Sequence, residues 1–574
     1  MFRTLGQRRS LGAPLLVVVT LFLGAHPTHG LPRYGPLELS GNIAAQQLLR
    51  NSNPEHFSWV QQRNTLKFRI DYQLLQHGQL MEFADVPVID DAKLFMLYRG
   101  VYDSIYDIAP SFQQRDIYGH KTGLRLTDVH GRNDVKYENR LREAYVDVSL
   151  KQLPLSFRLG RQQIVWGETD NFRMLDRVNA LDLSWHLQQE TWDELRIPYW
   201  MIKGLWNLDQ VGPLSGSFVE FYWNPGDWYP AKEVFLPQPW SAPITNPLSA
   251  IATKGQTLYH GTTLSNQGDY TRNPQENSQV GVRFSAVTPQ GVQFTLNYFY
   301  QRWSGNDDGT DAATIKGIRD TNEWPGIVAR NELPIEVIAP YVHTTGLSLN
   351  YAEERYTQTV FRMETIYEMG VPFNDASKPL PKKPPFALLG LDVFDVSKRD
   401  MWKGMIAFDR PTWIRPLNRK ATFLVLGQFF WHYLLDNPGI TCKFPNSPGR
   451  PCGGTANPQT GGFRGTFSTS GLTTGGAPVI DKVRDWELLT TLAMTTFYRG
   501  GKLVPFLIYV LDPVNKFNME VIWMADYFVT NDLILSLSQR YFINTTEAPV
   551  YETWGVGGLN RGRSETGLRV TYQF

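Results

Sequence analysis

The sequence predicts a transmembrane antiparallel β-barrel of 16 to 18 strands, with long outer loops folded partly into its lumen. Three observations predict it: an export signal at the start, apolar residues that recur with a period of two, and connections that alternate between short and long. After the signal, no stretch approaches the roughly 20 consecutive apolar residues that a transmembrane helix needs. The mature chain is therefore expected to cross a membrane with strands.

Residues 1–30 have the composition of a cleaved signal peptide. Three arginines precede the apolar run 11–25, and a basic stretch before a short apolar stretch is typical of exported chains. The run is short for a bilayer-spanning helix, so we expect cleavage, after Ala25 or after Gly30. Residues 31–574 then form a single barrel without a separate soluble domain.

Apolar and polar residues alternate along segments of about ten residues. The clearest segments are 66–72, 280–286, 292–298 and 568–574. In a barrel, this alternation turns apolar side chains toward lipid and polar side chains toward the lumen. A soluble sandwich also alternates, so the period alone leaves both folds open. The terminal Phe574 resembles the aromatic assembly signal of bacterial outer-membrane barrels.

The lengths of the connections favour the barrel, because outer-membrane barrels have short periplasmic turns and longer outer loops. Short connections are predicted at 151–154, 288–291, 354–357, 499–502 and 529–532, and long ones at 110–140, 165–196, 225–278, 304–342, 370–398 and 435–484. Between them we predict eighteen strands, near 36–47, 58–75, 94–108, 141–150, 154–164, 197–207, 217–224, 279–288, 292–303, 344–354, 358–369, 400–410, 420–433, 485–498, 502–510, 516–528, 532–543 and 566–574. The first two are the weakest, so 16 strands remain open. We expect the outer membrane of a Gram-negative bacterium, with both termini in the periplasm.

The stretch FRLGRQ (157–162) marks the end of one alternating strand. Its apolar residues are predicted to face lipid, which places Arg158 in the lumen. Arg161 interrupts this alternation, because it is charged at a position where an apolar residue is expected. We therefore expect a β-bulge, or the end of the membrane band, near Gly160 and Arg161.

The loop that follows, residues 166–184, is rich in Trp, Phe, Met and Leu. We predict that it folds inward onto the barrel wall, because each large apolar side chain gains about 1.5–3 kcal/mol when buried. Together with Arg158 and Arg161, its charged residues are predicted to form a pore constriction: Glu168, Asp170, Arg173, Asp176 and Arg177. The alternative is that these charges only pair with one another to hold the loop.

Several stretches carry a resemblance to a known family. They are LREAYVDV (141–148), GRQQIVWGETDNFRMLD (160–176), NALDLS (179–184), RIPYWMIK (196–203) and FDRPTWIRPLN (408–418). The chain resembles the domain-of-unknown-function family numbered 1302, which comprises predicted outer-membrane proteins of proteobacteria. That resemblance implies an association with export machinery and hydrophobic compounds, and it implies no established activity. Residues 169–172 depart from the family, in which small and glycine-rich residues usually follow WGE.

Two functions compete. One is an outer-membrane channel or export pore that passes small, amphipathic or hydrophobic molecules, and the other is a structural barrel that docks periplasmic partners of an export system. Six arginines are predicted to face the lumen: Arg69, Arg158, Arg283, Arg362, Arg540 and Arg569. They would either guide anions or brace the wall by pairing with acids such as Asp71, Asp147 and Glu364.

Other function classes find no support in the sequence. The formal net charge is +1, so nothing suggests a nucleic-acid partner. The ten histidines form no HExxH spacing, and the chain has no GxSxG motif, P-loop or dinucleotide fingerprint. We therefore expect no enzyme activity, cofactor or metal. The expected partners are outer-membrane lipid and lipopolysaccharide, the barrel assembly machinery and periplasmic export components.

The two cysteines, Cys442 and Cys452, are predicted to form a disulfide, because an exported chain meets an oxidising compartment. A loop this short contributes about 2–3 kcal/mol through restriction of the unfolded chain. Thiol titration of the denatured, unreduced protein should detect no free thiol, and two free thiols would contradict the prediction. The double serine variant should disorder residues 435–484 and still migrate more slowly on gels after heating, as folded barrels do.

Overall fold

The computed structural model describes most of the chain outside the long connections. The described residues are 35–53, 56–80, 84–109, 136–170, 172–181, 190–228, 264–266, 274–303, 315–329, 333–379, 391–437, 467–468, 472–474, 477–478, 485–514, 517–543 and 564–574. The signal peptide (1–30) and both cysteines lie outside these residues. Cleavage and the disulfide therefore stay predictions.

Eighteen strands form the barrel. The first nine are β1 (Leu37–Asn53), β2 (His56–Gln76), β3 (Ile89–Asp103), β4 (Tyr137–Leu150), β5 (Leu155–Gln162), β6 (Tyr199–Val211), β7 (Leu214–Asn224), β8 (Gln279–Val287) and β9 (Gln293–Arg302). The others are β10 (Tyr341–Glu353), β11 (Thr359–Pro379), β12 (Leu391–Thr412), β13 (Phe423–Leu434), β14 (Trp486–Thr495), β15 (Leu503–Asp512), β16 (Asn518–Phe528), β17 (Leu533–Ile543) and β18 (Ser564–Gln573). All eighteen predicted strands are present, so the barrel has 18 strands and not 16.

In the described parts of the connections, the elements are short. The additional strands are Gln79–Leu80, Ala84–Asp85, Leu264–Asn266, Ile315–Gly317, Leu333–Val337, Phe467–Ser468, Leu472–Thr474 and Ala477–Pro478. The α-helices are Ile105–Ile108, Trp192–Leu195 and Trp324–Ala329, and the 3₁₀ helices are Pro274–Asn277 and Arg499–Gly501. Among the described residues, no helix has the length and apolar character that a membrane crossing requires.

Pairing of the first strand with the last closes the sheet. β1 pairs antiparallel with β2 on one side and with β18 on the other, where Gln46 lies opposite Arg569. Gly41 and Phe574 exchange both backbone hydrogen bonds, at 2.8 and 3.0 Å. A Cβ atom on Gly41 would lie 2.8 Å from the Phe574 ring, so the glycine lets the terminal ring approach the wall. Closure leaves no unpaired edge, which a sheet in lipid requires.

The two ends of the barrel differ in the length of their connections. We call the end at which the chain begins and finishes the terminal end, and the opposite end the loop end. Connections at the terminal end are short, as in 212–213 and 529–532, whereas 225–278 and 435–485 join strands at the loop end. The predicted alternation holds for most connections, but the loop-end connections 54–55 and 513–517 are short.

One predicted loop is wrong. Residues 370–398 were expected to form a loop, but β11 continues to Pro379 and β12 begins at Leu391, so only 380–390 connect them. The extension pairs with Phe467–Ser468 and Leu472–Thr474 from another connection. Strands that extend beyond the lipid need no apolar outer face. The sequence there is polar and contains prolines, so it lacks the alternation that predicts a strand.

The outer face of the barrel is apolar, and the inner face carries charged and polar side chains together with the apolar ones that pack on the interior. On β12, Trp402 and Ile406 point outward and are 39% and 54% exposed, whereas Lys403 and Met405 point inward and are fully buried. This alternation is the pattern that lipid on one side and a filled lumen on the other impose.

An apolar core lies inside the barrel. Residues 163–181, which we call the plug, turn inward after β5. Their side chains Ile164, Trp166, Met174, Leu175, Val178 and Ala180 pack in one buried cluster with the wall residues Met201, Tyr222, Phe299, Ile366, Met405, Ala407 and Phe430. The prediction that this loop folds into the lumen is confirmed for the residues described, up to Leu181.

A charge on the outer face tests the orientation of the strands. Ile406→Arg should lower the free energy of unfolding in lipid by about 2–4 kcal/mol, because an arginine there loses hydration at mid-depth. Tyr356→Arg, in the 354–358 connection where Tyr356 is 79% exposed, should cost about 0–1 kcal/mol. Urea unfolding in lipid vesicles measures both. Equal effects of the two substitutions would contradict the orientation.

Candidate functional site

Asn179 ties the two ends of the plug to the wall. Its Oδ1 accepts a hydrogen bond from the Ile164 backbone N–H at 2.8 Å, and its Nδ2 donates to the carbonyls of Ile197 (2.8 Å) and Gln162 (3.3 Å). The side chain is fully buried. One amide thus joins the end of β5, the plug and the stretch that enters β6.

A second set of contacts folds the plug on itself. Arg173 donates to the carbonyl of Asp176 and, at 2.6 Å, to that of Asn179. The Asp176 carboxylate accepts two hydrogen bonds from Arg196, at 2.5 and 3.0 Å. Gly167 lies against this turn, where a Cβ atom would be 2.6 Å from the Asp176 nitrogen. A glycine is required at this close approach.

Two buried carboxylates of β11 hold the plug to the wall. Glu364 accepts hydrogen bonds from the backbone N–H groups of Glu168 and, at 3.1 Å, of Leu175. One oxygen of Glu368 pairs with Arg177, and the other lies 2.6 Å from the Lys403 ammonium. Removing either partner from such a buried pair leaves a charge without its partner.

A more exposed ionic contact joins the plug to the strands beyond β11. Arg362 donates to the Asp170 carboxylate at 2.8 Å and to Asp409 at 2.7 Å. Gln428 donates to Asp170 at 3.1 Å. Asp409 belongs to the FDRP stretch, so motifs more than 200 residues apart in sequence meet at the plug.

Apolar contacts fill the space between the plug and the wall. The Trp166 ring lies 5.4 Å from Tyr222 and 5.2 Å from Phe299, centroid to centroid. Leu175 packs on Gly346 of β10, where any larger side chain would collide with it. Aromatic clusters of this type add to the free energy gained by burial.

Of the predicted lumen residues, those in the plug come together and the two on β5 do not join them. Arg158 faces inward and pairs on the wall with Asp147, at 2.7 and 2.9 Å. Arg161 lies on the outward face with Leu159 and donates to the Pro198 carbonyl at 3.2 Å.

The expected bulge is also displaced. β5 pairs without a register shift, and its irregularity is a φ of 138° at Gly160. The extra residue lies in the neighbouring strand β4, where Leu141 and Glu143 pair with consecutive residues of β3. The membrane-facing alternation of β5 therefore continues to its last residues, which is why Arg161 points outward.

Most of the predicted inward arginines brace the wall. Arg69 pairs with Asp71, Arg158 with Asp147, Arg283 with Glu220, Arg362 with Asp170 and Asp409, and Arg540 with Glu520. Glu364 does not pair with an arginine, contrary to expectation, because both of its oxygens accept backbone N–H groups of the plug. Arg569 has no ion pair within the described residues.

Two adjoining cavities lie between the chain that returns from the plug, residues 190–195, and the opposite wall. The first is lined by Arg63, Lys67, Arg99, Arg569, Glu190 and Glu194, and the second by Lys67, Leu97, Arg99, Arg142, Glu143 and Val165, among others. They share Lys67, Arg99 and Glu194. These cavities lie in the lumen beside β1 to β4 and β18.

Sequence reasoning missed Glu368, Lys403 and Asn179. Glu368 and Lys403 are charged residues at inward positions of alternating strands. Their place in the alternation was enough to identify them as lumen residues. Asn179 gave no such signal, since an asparagine in a loop is ordinarily a turn residue.

The chain is similar to one protein family in sequence and to several solved barrels in structure. The sequence profile of the family described as a protein of unknown function, DUF1302, matches residues 63–574. No curated protein sequence matches the chain.

Several solved structures are similar to the barrel over 94% of this chain. Among them are OccAB3 of Acinetobacter baumannii (8% identity, 99% of that chain, TM-score 0.42) and a BenF-like porin from Pseudomonas fluorescens Pf-5 (9%, 100%, 0.41). A third is OpdK of Pseudomonas aeruginosa, crystallised with vanillate (8%, 98%, 0.39).

Loss of the Glu368 carboxylate tests how the plug is held. Glu368→Gln should lower the free energy of unfolding by about 3–5 kcal/mol, because two buried cations lose a shared partner. Asp147→Asn, in the half-exposed pair with Arg158, should cost about 0–1 kcal/mol. Chemical unfolding measures both variants, and brief trypsin treatment should cleave the folded Glu368 variant after Arg173 or Arg177. Equal stability of the two variants would show that the buried pair does not anchor the plug.

Proposed function

We propose that this chain, which belongs to the DUF1302 family of proteins of unknown function, is an outer-membrane channel narrowed by the plug. The proposal rests on the barrel itself. The observation that carries the proposal is the uneven filling of the lumen. The plug packs mainly on β6 to β13, with Leu181 also on β1 and β2, whereas cavities lined by charged residues remain beside β1 to β4 and β18. A barrel built only as a rigid scaffold has no need of a polar space along its wall.

The proposed solutes are small and either polar or amphipathic. The open side offers charged groups such as Lys67 and Arg142 next to apolar ones such as Leu97 and Val165. A passage with both kinds of lining accommodates a molecule that has a polar head and an apolar body. The plug keeps large solutes out because it occupies the other half of the cross-section.

We place the terminal end in the periplasm and the loop end at the cell surface, since outer-membrane barrels have short periplasmic turns. Lipid and lipopolysaccharide then surround the apolar outer face, and barrel assembly machinery and periplasmic export components meet the chain at the terminal end. Transport through such a passage requires no catalytic group.

A scaffold that docks periplasmic export components is the second candidate. The observation in its favour is the pairing of five of the six inward arginines, which stiffens the wall. Paired charges attract anions less than free ones, so these arginines support bracing more than guidance.

Deleting residues 168–182 tests the channel. Single-channel conductance in planar bilayers should rise, and cells should take up large antibiotics more readily, because the deletion removes the material that narrows the lumen. A second variant that carries only glycine and serine at these positions should show the same rise, since packing and not length closes the passage.

Both proteins must first migrate as folded barrels before heating. Unchanged conductance of a folded deletion variant would contradict the constriction. A wild-type and a deletion variant that both stay silent would favour the scaffold.

A further inference from the structure

Arg569 is the exception among the inward arginines. On β18 it lies opposite Gln46 of β1 and Ser536 of β17, and neither residue is acidic. The inward acid nearest to it along β18, Glu565, pairs with Arg50 at 2.6 Å. Within the described part of the chain, the Arg569 guanidinium has no hydrogen bond or ion pair, although it is half-buried.

The cavity that Arg569 lines has an excess of positive charge. Four cations line it, Arg63, Lys67, Arg99 and Arg569, against the two carboxylates of Glu190 and Glu194. Both carboxylates are already engaged. Glu190 pairs with Arg63, and Glu194 pairs with Lys67 and with Arg99 at 2.7 Å. Arg99 also pairs with Glu138 at 2.6 Å, so among the described residues one positive charge, that of Arg569, is left without an acid.

A partly desolvated guanidinium without a partner is unfavourable, and an anionic ligand removes the cost. Its N–H groups form a planar fork that matches two oxygens of one oxyanion. The site is therefore complementary to a carboxylate or a similar oxyanion.

Apolar groups beside the cations define the rest of the ligand. Ala44, Val101 and Leu195 line the same cavity as Arg569, and Leu97 and Val165 line the adjoining one. A body of ring or chain carbons would be buried there, at about 0.8 kcal/mol for each methylene group.

We propose that Arg569 is the head-group site for an amphipathic organic carboxylate, whose apolar body lies along the cavities between residues 190–195 and the wall. The role of this site rests on the proposed channel function. In that channel, the solute binds at Arg569 on its way past the plug. Binding itself does not depend on conduction.

Calorimetric titration of the detergent-solubilised full chain tests the site, with benzoate as the probe. Benzoate should bind the wild type, and Arg569→Gln should weaken it at least about tenfold, because a charge-assisted hydrogen-bonded pair is lost. The matched control is Arg69→Gln on β2. Arg69 faces the same lumen two residues from Lys67, and its partner Asp71 keeps Lys93 at 2.5 Å. That variant should bind benzoate as the wild type does.

Four further outcomes are decisive. Neutral benzyl alcohol should not bind, and acetate should bind several-fold more weakly than benzoate. Inorganic phosphate that binds as well as benzoate would overturn the apolar half of the site. Equal weakening by Arg69→Gln and Arg569→Gln would overturn the assignment to Arg569, since general lumen charge would then suffice.

Conductance of the same proteins separates the two proposals. A silent barrel that binds benzoate through Arg569 would retain the site and overturn the channel. A conducting barrel whose affinity for benzoate is unchanged by Arg569→Gln would retain the channel and overturn the site.

Discussion

A polypeptide segment enclosed in a barrel must find partners there for every polar group that it takes out of water, and the rest of this structure depends on that constraint. The plug meets it through the wall of β11. Glu364 accepts two of its backbone N–H groups, and Glu368 lies between Arg177 and Lys403. A buried polar or charged group without a partner would destabilise the fold by several kcal/mol. The polar groups of the plug and those of the wall therefore have to match in position and charge.

The need for partners inside the barrel also explains where the motifs that the chain shares with its family lie in the sequence. The GRQ, NALD, RIPYW and FDRP stretches supply Gln162, Asn179, Arg196 and Asp409, which lie far apart in sequence and meet around the plug. The motifs therefore specify how the plug packs inside the barrel. The wall of β1 to β4 and β18 lines the cavities and carries, at Arg569, an unpaired cation among the described residues.

Strand positions could be predicted wherever the two faces of a strand meet different solvents. All eighteen predicted strands are present, including the two weakest predictions, β1 and β2. The prediction failed for 370–398, because β11 and β12 extend beyond the lipid there and their two faces no longer differ in polarity. It also failed for Arg161. The charge of Arg161 predicts a break in the alternation, but the strand continues its alternation and Arg161 donates to a backbone carbonyl.

Taken alone, the sequence determined the fold class, the strand number to within two, and the inward fold of a loop too apolar for water, because each follows from local patterns of solvation. Only the tertiary structure decided which charges pair. Arg177 finds Glu368, Asp170 finds Arg362, and Arg569 finds no acid within the described residues. Ion pairs between strands far apart in sequence depend on register, strand closure and the depth of the plug, and no local pattern encodes these distances.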